Sequence, residues 1–423
     1  MLDIESVLKA ALRQNHLNDH QVLAAFVDIG GLRETVSALK LAFPEHFEHA
    51  FAAKANSMSS ALMLVREEGM SCEVASPGEL EQALRAGFDP QILVYDEPAK
   101  TASVLRRVLG KGVGLNIDNF QEFERVRSLL QKNQSRSRIG FRINPQVGAG
   151  RIGPMSTATV TSKFGVALDD EGNRDQLITC YRNNPWLTSL HSHVGSQGCP
   201  LELMAAGIRK VVDLALEINS VVGFQQISLI DIGGGLPVNF DSDEVKPGFA
   251  DYAEELRHQV PELFSGQFRV KTEFGRSIFA KNGFIASRVE YTKSSGGRSI
   301  AISHAGVQVA ARTVFMPDYW VIRLSVFDSK GQQKSGNDLV QDIAGPCCFA
   351  GDMIGTERLL PEIEAGDYIV LHDTGAYYFS MPFYYNVLPA PAVYGTEIDQ
   401  DGEVKFITWR RQQTVDDMLA VIA

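Results

Sequence analysis

Lys54 lies at the end of the apolar run FAAKAN. Desolvation at the end of a buried strand favours a neutral amine, a nucleophile able to form a Schiff base with a carbonyl. The competing reading is a surface lysine that points outward past its alanine neighbours. In DIGGGLP a strand runs into Gly233, Gly234 and Gly235, where backbone N–H groups can approach an anion as in a phosphate-binding nest; a flexible turn is the plain alternative. Glu273 and Arg276 in EFGR stand three apart at a strand end. They offer a carboxylate for a protonated ring nitrogen and a guanidinium for a phosphate, or else a surface ion pair. HSHVGSQG puts His191 and His193 on one side of a strand, with Ser196 after them. A third metal ligand at a telling spacing is missing, so no metal is expected. One ring is read as stacking on a planar ligand and the other as buried support. GPCCFAGD places Cys348 and Asp352 in a turn, and GAY offers the Tyr377 phenol; a cysteine of this kind is by default a core thiol.

These residues need elements to hold them. Between Phe51 and Phe274, short apolar runs at 51–55, 72–75, 92–95, 113–117, 139–143, 187–194, 227–232 and 270–274 alternate with segments of helical period. The pattern predicts an α/β fold, a closed (β/α)8 barrel over residues 30–276. Barrel enzymes carry function at the C-terminal ends of their strands, with phosphate sites favoured after the seventh and eighth. Lys54 ends the first run, Arg142 the fifth and His193 the sixth, the three glycines follow the seventh, and Glu273 ends the eighth. From residue 277 onward, strands separated by Gly, Asp, Asn and Pro turns predict a second, mostly antiparallel β domain. It spans 277–423 together with 1–29, whose VLAAFVD is strand-like.

The 423 residues are 44% hydrophobic and 22% charged, a globular balance that excludes disorder and coiled coil. An excess of 51 acidic over 40 basic side chains, with no basic cluster, speaks against nucleic-acid and anionic-membrane partners. The segment MLDIESVLKAAL lacks the basic start and apolar core of a signal peptide, and no run reaches the length of a membrane span, which predicts a cytoplasmic protein. Five cysteines, an odd number without zinc-site spacing, argue against a disulfide framework.

Taken in order, FAAKAN, CEVASPGEL, GFRINP, SKFGV, HSHVGSQ, DIGGGLP, EFGR, GPCCFAGD and GAYYFSMPFYYN resemble the fold type III pyridoxal-phosphate enzymes. The similarity is to the diaminopimelate, ornithine and arginine decarboxylase family, and it covers nearly the whole chain. It implies an alanine-racemase-like barrel, pyridoxal 5'-phosphate as cofactor, an amino-acid substrate and a homodimer with shared active sites. By motif, Lys54 would carry the cofactor, His193 would stack on its ring and Glu273 would hold its ring nitrogen. Ser196, Gly233, Gly234, Gly235, Arg276 and Tyr377 would bind the phosphate, Gly275 would contact the cofactor, Arg142 would lie beside the ring hydroxyl, and Cys348 would return a proton to the substrate carbon. Arg312, Phe349 and Asp352 would face the substrate. One departure bears on specificity: CFAGD stands where the family has CESGD or CDGLD, so Phe349 replaces an acidic residue. Glu73 replaces the usual aspartate with small expected consequence. Phe349 beside a retained Arg312 implies a larger or acidic distal group on the substrate, and makes diaminopimelate doubtful. A racemase or epimerase on the same fold and a non-catalytic regulator are the alternatives. Glu273 disfavours the first, because alanine racemase places an arginine at the ring nitrogen, and the presence of both Lys54 and Cys348 disfavours the second.

Overall fold

The computed structural model describes residues 3–153 and 156–422. The chain divides into two compact units. One comprises Val36–Val238 and Val245–Ser277; the other comprises the chain up to Thr35, Asn239–Glu244 and everything from Ile278 onward.

The first unit is the barrel. Its strands are β1 (Phe47–Ala52), β2 (Ser71–Val74), β3 (Leu93–Tyr95), β4 (Gly114–Ile117), β5 (Ile139–Asn144), β6 (Leu187–His191), β7 (Leu229–Asp231) and β8 (Arg269–Phe274). All pair in parallel in chain order, and pairing of β1 with β8 and of β4 with β5 closes the ring. Helices separate the strands, and several begin on side-chain caps. Ser76 accepts from the Glu79 amide with Pro77 at the first helical position, and Thr101 and Asn119 cap the next two helices in the same way.

Two strand limits differ from the sequence pattern. β1 begins at Phe47 and ends at Ala52, so Lys54 sits on the 3-10 turn Ala53–Ala55 that follows it. Glu48 and His49 read as loop residues in isolation, but β8 pairs with all of Phe47 to Phe51, and His49 Nδ1 lies 2.9 Å from Thr272 Oγ1. β6 stops at His191, which leaves His193 two residues beyond the strand.

The β5–β6 pair carries a bulge. Ile139 is level with Leu187, but Gly140 is level with Ser189, so Thr188 is an extra residue. Tyr181 fills the gap. Its buried hydroxyl donates to Ser189 O at 2.5 Å and accepts from Phe141 N at 3.1 Å. A Cβ on Gly140 would fall 1.9 Å from Ser189 O, so only glycine lets the strands approach this closely.

In the second unit a sheet runs through Met353–Pro361, Asp338–Ala344, Arg298–Ser303, Gly283–Ser295, Leu23–Asp28, Ala392–Ile398 and Val404–Arg410, with Tyr368–Leu371 and Leu324–Phe327 branching from it. Two pairings are parallel and the rest antiparallel. Val7 and Leu8 of the helix Ile4–Arg13 pack with Phe26, Phe284, Tyr368 and Tyr394 in its core. The segment Asn239–Glu244 belongs here rather than with the barrel. Lys281 Nζ donates to Ser242 O at 2.7 Å, Arg323 pairs with Asp243, and Phe240 meets the Trp320 ring edge-on. The other limit also moves, from residue 29 to Thr35, because the helix Ile29–Ala42 runs across it.

Candidate active site

The C-terminal ends of the strands bring four of the expected residues, Lys54, Arg142, His193 and Glu273, into one constellation, together with Glu73, Asp96 and His191. Lys54 Nζ is 2.6 Å from Glu73 Oε2 of β2. The lysine side chain is 36% exposed while Glu73 is fully buried. Desolvation therefore falls on the acid, contrary to the dry lysine pocket expected from FAAKAN. Burial pushes the Glu73 carboxyl up to about 7 against the pull of Lys54.

Glu273, at the end of β8, is buried between two imidazoles: Oε2 lies 3.3 Å from His191 Nε2 and 3.7 Å from His193 Nδ1. Burial alone would raise its pKa, but the charge and contact of His191 and the contact of His193 outweigh it and hold the carboxyl well below its ordinary value. The two rings differ. Burial drives His193 down to about 4, and its Nδ1 accepts from Gly234 N at 3.3 Å, which marks a neutral ring. His191 is taken up to about 9: burial opposes its charge, and Asp96 and Glu273 overcome that opposition. Asp96, directly after β3, stands 3.6 Å from His191 Nδ1 and 2.5 Å from Arg142 Nη1. The Arg142 guanidinium also lies 4.4 Å from the Phe164 ring centre.

His191, His193 and Glu273 place three ligand-type atoms within 4.8 Å, so folding supplies the third group that the spacing lacked. A metal bound there would have to displace the proton that Asp96 and Glu273 favour on His191.

The glycine run is a packed turn rather than a flexible one. Gly233 and Gly235 adopt positive φ. A Cβ on Gly234 would fall 2.2 Å from Glu273 O, and Gly233 N donates to Asp231 Oδ1 at 3.0 Å. Gly275 lets the end of β8 approach the Lys54 turn, since a Cβ there would fall 2.9 Å from Ala55 Cβ. Arg276 is buried and opens the short helix after β8, and Ser196 is half-buried in the loop that follows β6. Asp231 and Lys271 form a buried layer beneath: burial raises the first well above its ordinary value and lowers the second.

The remaining expected residues lie in the second unit. Arg312, on the helix Val307–Phe315, has its guanidinium 4.2 Å from the Tyr377 ring centre and 5.3 Å from that of Trp320. Tyr377 has φ +66°, a backbone conformation that a tyrosine adopts only under constraint. Cys348 is exposed while Cys347 is buried, against the core-thiol default, and the Cys348 amide donates to Asn386 Oδ1 at 2.8 Å. Phe349 stacks on Phe315 at 6.0 Å and meets Tyr385 edge-on at 5.1 Å. Asp352, expected against substrate, is turned inward. Its two oxygens accept from Val307 N at 2.6 Å and Cys347 N at 2.7 Å.

Asp96, Asp231, Phe315 and Tyr385 escaped the sequence reading. Asp96 and Asp231 had a signal, an acid directly after the apolar run ILVY and one within the run ISLIDI; Phe315 and Tyr385 had none that separates them from ordinary core or surface positions.

Residues 29–280 match the family described as "Pyridoxal-dependent decarboxylase, pyridoxal binding domain". The chain belongs to the pyridoxal-dependent decarboxylases. Among its relatives, the diaminopimelate decarboxylase of Aquifex aeolicus is 28% identical over 91% of this chain and 88% of the relative. A protein of Oryza sativa named probable diaminopimelate decarboxylase, chloroplastic, is 30% identical over 87% and 73%. The crystal structure of diaminopimelate decarboxylase from Helicobacter pylori complexed with L-lysine superposes with a TM-score of 0.83 at 26% identity, covering 97% and 98% of the two chains. This decarboxylase is a carboxy-lyase that uses pyridoxal phosphate and acts on an amino acid. The racemase and regulator alternatives fall with that assignment. The barrel fits the cofactor: a carboxylate buried between two imidazoles suits a pyridinium, and an imidazole whose Nδ1 accepts from a backbone amide suits a ring to stack against. Among the described residues, no helix is long and apolar enough to cross a membrane.

Proposed function

We propose that this enzyme decarboxylates an amino acid whose distal end is anionic or bulky, and that it works as a homodimer in which each copy completes its partner's site. The observation that carries the substrate reading is Arg312. It is held between two aromatic faces with no carboxylate partner among the described residues, and Phe349 is packed into an aromatic cluster nearby in the same unit. An anion is what such a guanidinium lacks, and a phenyl ring in place of an acid removes the pairing that would select a terminal ammonium. The relatives' name offers diaminopimelate as the second reading, and the same Arg312 favours it through a distal carboxylate.

Pyridoxal phosphate supplies the electron sink for the carbanion left when the α-carboxylate departs. In this reading Lys54 anchors the cofactor, and Glu73 accepts and returns a proton at Nζ. Glu273 would pair with the protonated ring nitrogen and His193 would stack on the ring. Arg142 lies beside the ring hydroxyl with its charge shared with Asp96. Ser196, Gly233, Gly234, Gly235, Arg276 and Tyr377 would hold the phosphate through backbone amides, hydroxyls and a guanidinium, with Gly275 beside the cofactor. Cys348 Sγ donates the proton that replaces carbon dioxide, Arg312 and Phe349 receive the distal group, and Asp352 holds the Cys348 turn against the start of the Arg312 helix. The five free thiols support a reducing, cytoplasmic setting.

The direct test is reduction of the holoenzyme with borohydride followed by peptide mass spectrometry. A pyridoxyl group should be fixed on Lys54 and absent from Lys54→Ala; a label on another lysine would refute the anchor. Carbon dioxide release from a panel of diamino acids, acidic amino acids and amino acids carrying a distal carboxylate through an amide then identifies the substrate class.

A further inference from the structure

Two histidines contact Glu273, and the reading above explains only one of them. His191 is fully buried, and its two nitrogens make no hydrogen bond of standard geometry. Each instead faces a carboxylate, Nε2 at 3.3 Å from Glu273 and Nδ1 at 3.6 Å from Asp96. Asp96 is held from its other oxygen by Arg142. The row Arg142, Asp96, His191, Glu273 therefore alternates in sign across the barrel interior, from β5 through the β3 end and β6 to β8.

The surroundings explain why a cation is needed there. Glu73, Asp231 and Glu273 are all fully or almost fully buried in the same interior, and Asp96 nearly so. An isolated buried carboxylate takes up a proton unless a charge or a set of donors stabilises it. His193 does not fill that part, because its Nδ1 already accepts from Gly234. We infer that His191 is a positioning residue: it stands as the counter-cation that keeps Glu273 a carboxylate, aimed at the ring nitrogen of the cofactor. The inference rests on the role of Glu273 given above, but the state of His191 is a property of the protein alone. The groups facing His191 from the elements around it are Asp96 and Glu273, Asp231, whose carboxyl burial raises well above its ordinary value, and Arg142, level with His191 on β5 and drawn to Asp96; Asp96 and Glu273 outweigh burial and support a charged ring up to about pH 9.

The test begins with the wild-type apoprotein labelled with nitrogen-15 histidine, the His191 signal being assigned among nine by His191→Gln. At pH 7 both ring nitrogens should show the imidazolium pattern and keep it until about pH 9, whereas His193 should be neutral throughout the neutral range. Asp96→Asn should lower the midpoint of His191. A neutral His191 at pH 7 would overturn the inference, whatever the variants do. In the holoenzyme, His191→Gln should lower kcat roughly 10–100-fold, the size typical for outer-shell partners of a site, with KM little changed. Its visible band should lose protonation at the ring nitrogen at lower pH than the wild type. A charged His191 together with wild-type kcat and spectrum in His191→Gln would also overturn it. Absence of a pyridoxyl label on Lys54 would instead sink the reading of the site, while the histidine titration would stand.

Discussion

Replacing Tyr181 by phenylalanine tests whether the bulge between β5 and β6 positions the site. The hydroxyl is buried and joins Ser189 O to Phe141 N, two backbone groups that the extra residue Thr188 has taken out of the ladder. Tyr181→Phe fills the same space but leaves one buried donor and one buried acceptor unpaired. Each such group costs about 1–3 kcal/mol, so the loss should come to about 2–6 kcal/mol, or a fall in Tm of roughly 4–24 °C for a barrel of this size. Urea unfolding followed by circular dichroism should show a lower midpoint at unchanged slope, and the Phe141 amide should exchange faster. Beyond the bulge Arg142 is level with His191, so a register disturbance should also weaken pyridoxal phosphate binding although Tyr181 is no part of the site. A stability change below about 0.5 kcal/mol, within the range of ordinary surface substitutions, would refute this account of the bulge.

Three further outcomes follow from the same geometry. His49 is held neutral, down to about 4, by burial and Lys40; the unfolded chain binds its proton first, so stability should fall as pH drops from 6.5 to about 4, by up to about 3 kcal/mol, and level off below. His193 and His372 act in the same window, so His49→Gln should make the decline in Tm shallower, and an unchanged slope would count against it. Phe349→Glu should raise kcat/KM toward L-ornithine, L-lysine or meso-diaminopimelate by at least about tenfold by restoring a partner for a distal ammonium; efficient turnover of any of the three by the wild type would refute the substrate reading. Mixed after subunit exchange, inactive Lys54→Ala and inactive Cys348→Ala should recover roughly a quarter of wild-type activity, since half of the dimers are mixed and each holds one intact site. Exchange without recovery would refute shared sites.

The barrel was legible because each strand is a short apolar run and each helix a run of period 3.6, local patterns that survive without knowledge of partners. The residues at strand ends were legible for a related reason. A lysine, an arginine, a histidine or a glutamate closing an apolar run conflicts with burial, and that conflict is visible in the sequence alone. β1 was misplaced because Glu48 and His49 become strand residues only by pairing with β8, a partner more than two hundred residues away. The bulge was invisible, since Gly140 and Tyr181 acquire their roles only when Ser189 comes within reach.

Residue types and their order thus determined the fold class, the cofactor chemistry and most of the residues proposed to perform it. Charge states were decided by tertiary structure. His191 and His193 are two residues apart, have the same side chain and contact the same oxygen of Glu273, yet one is held charged and the other neutral. Burial opposes the charge on both rings; at His191 Asp96 and Glu273 overcome it, whereas at His193 the charges of Lys54 and Arg142 reinforce it, neighbours contributed by separate strand ends. Electrostatic energy depends on distances across the barrel in a medium of low polarity, and those distances exist only after the chain has closed into it.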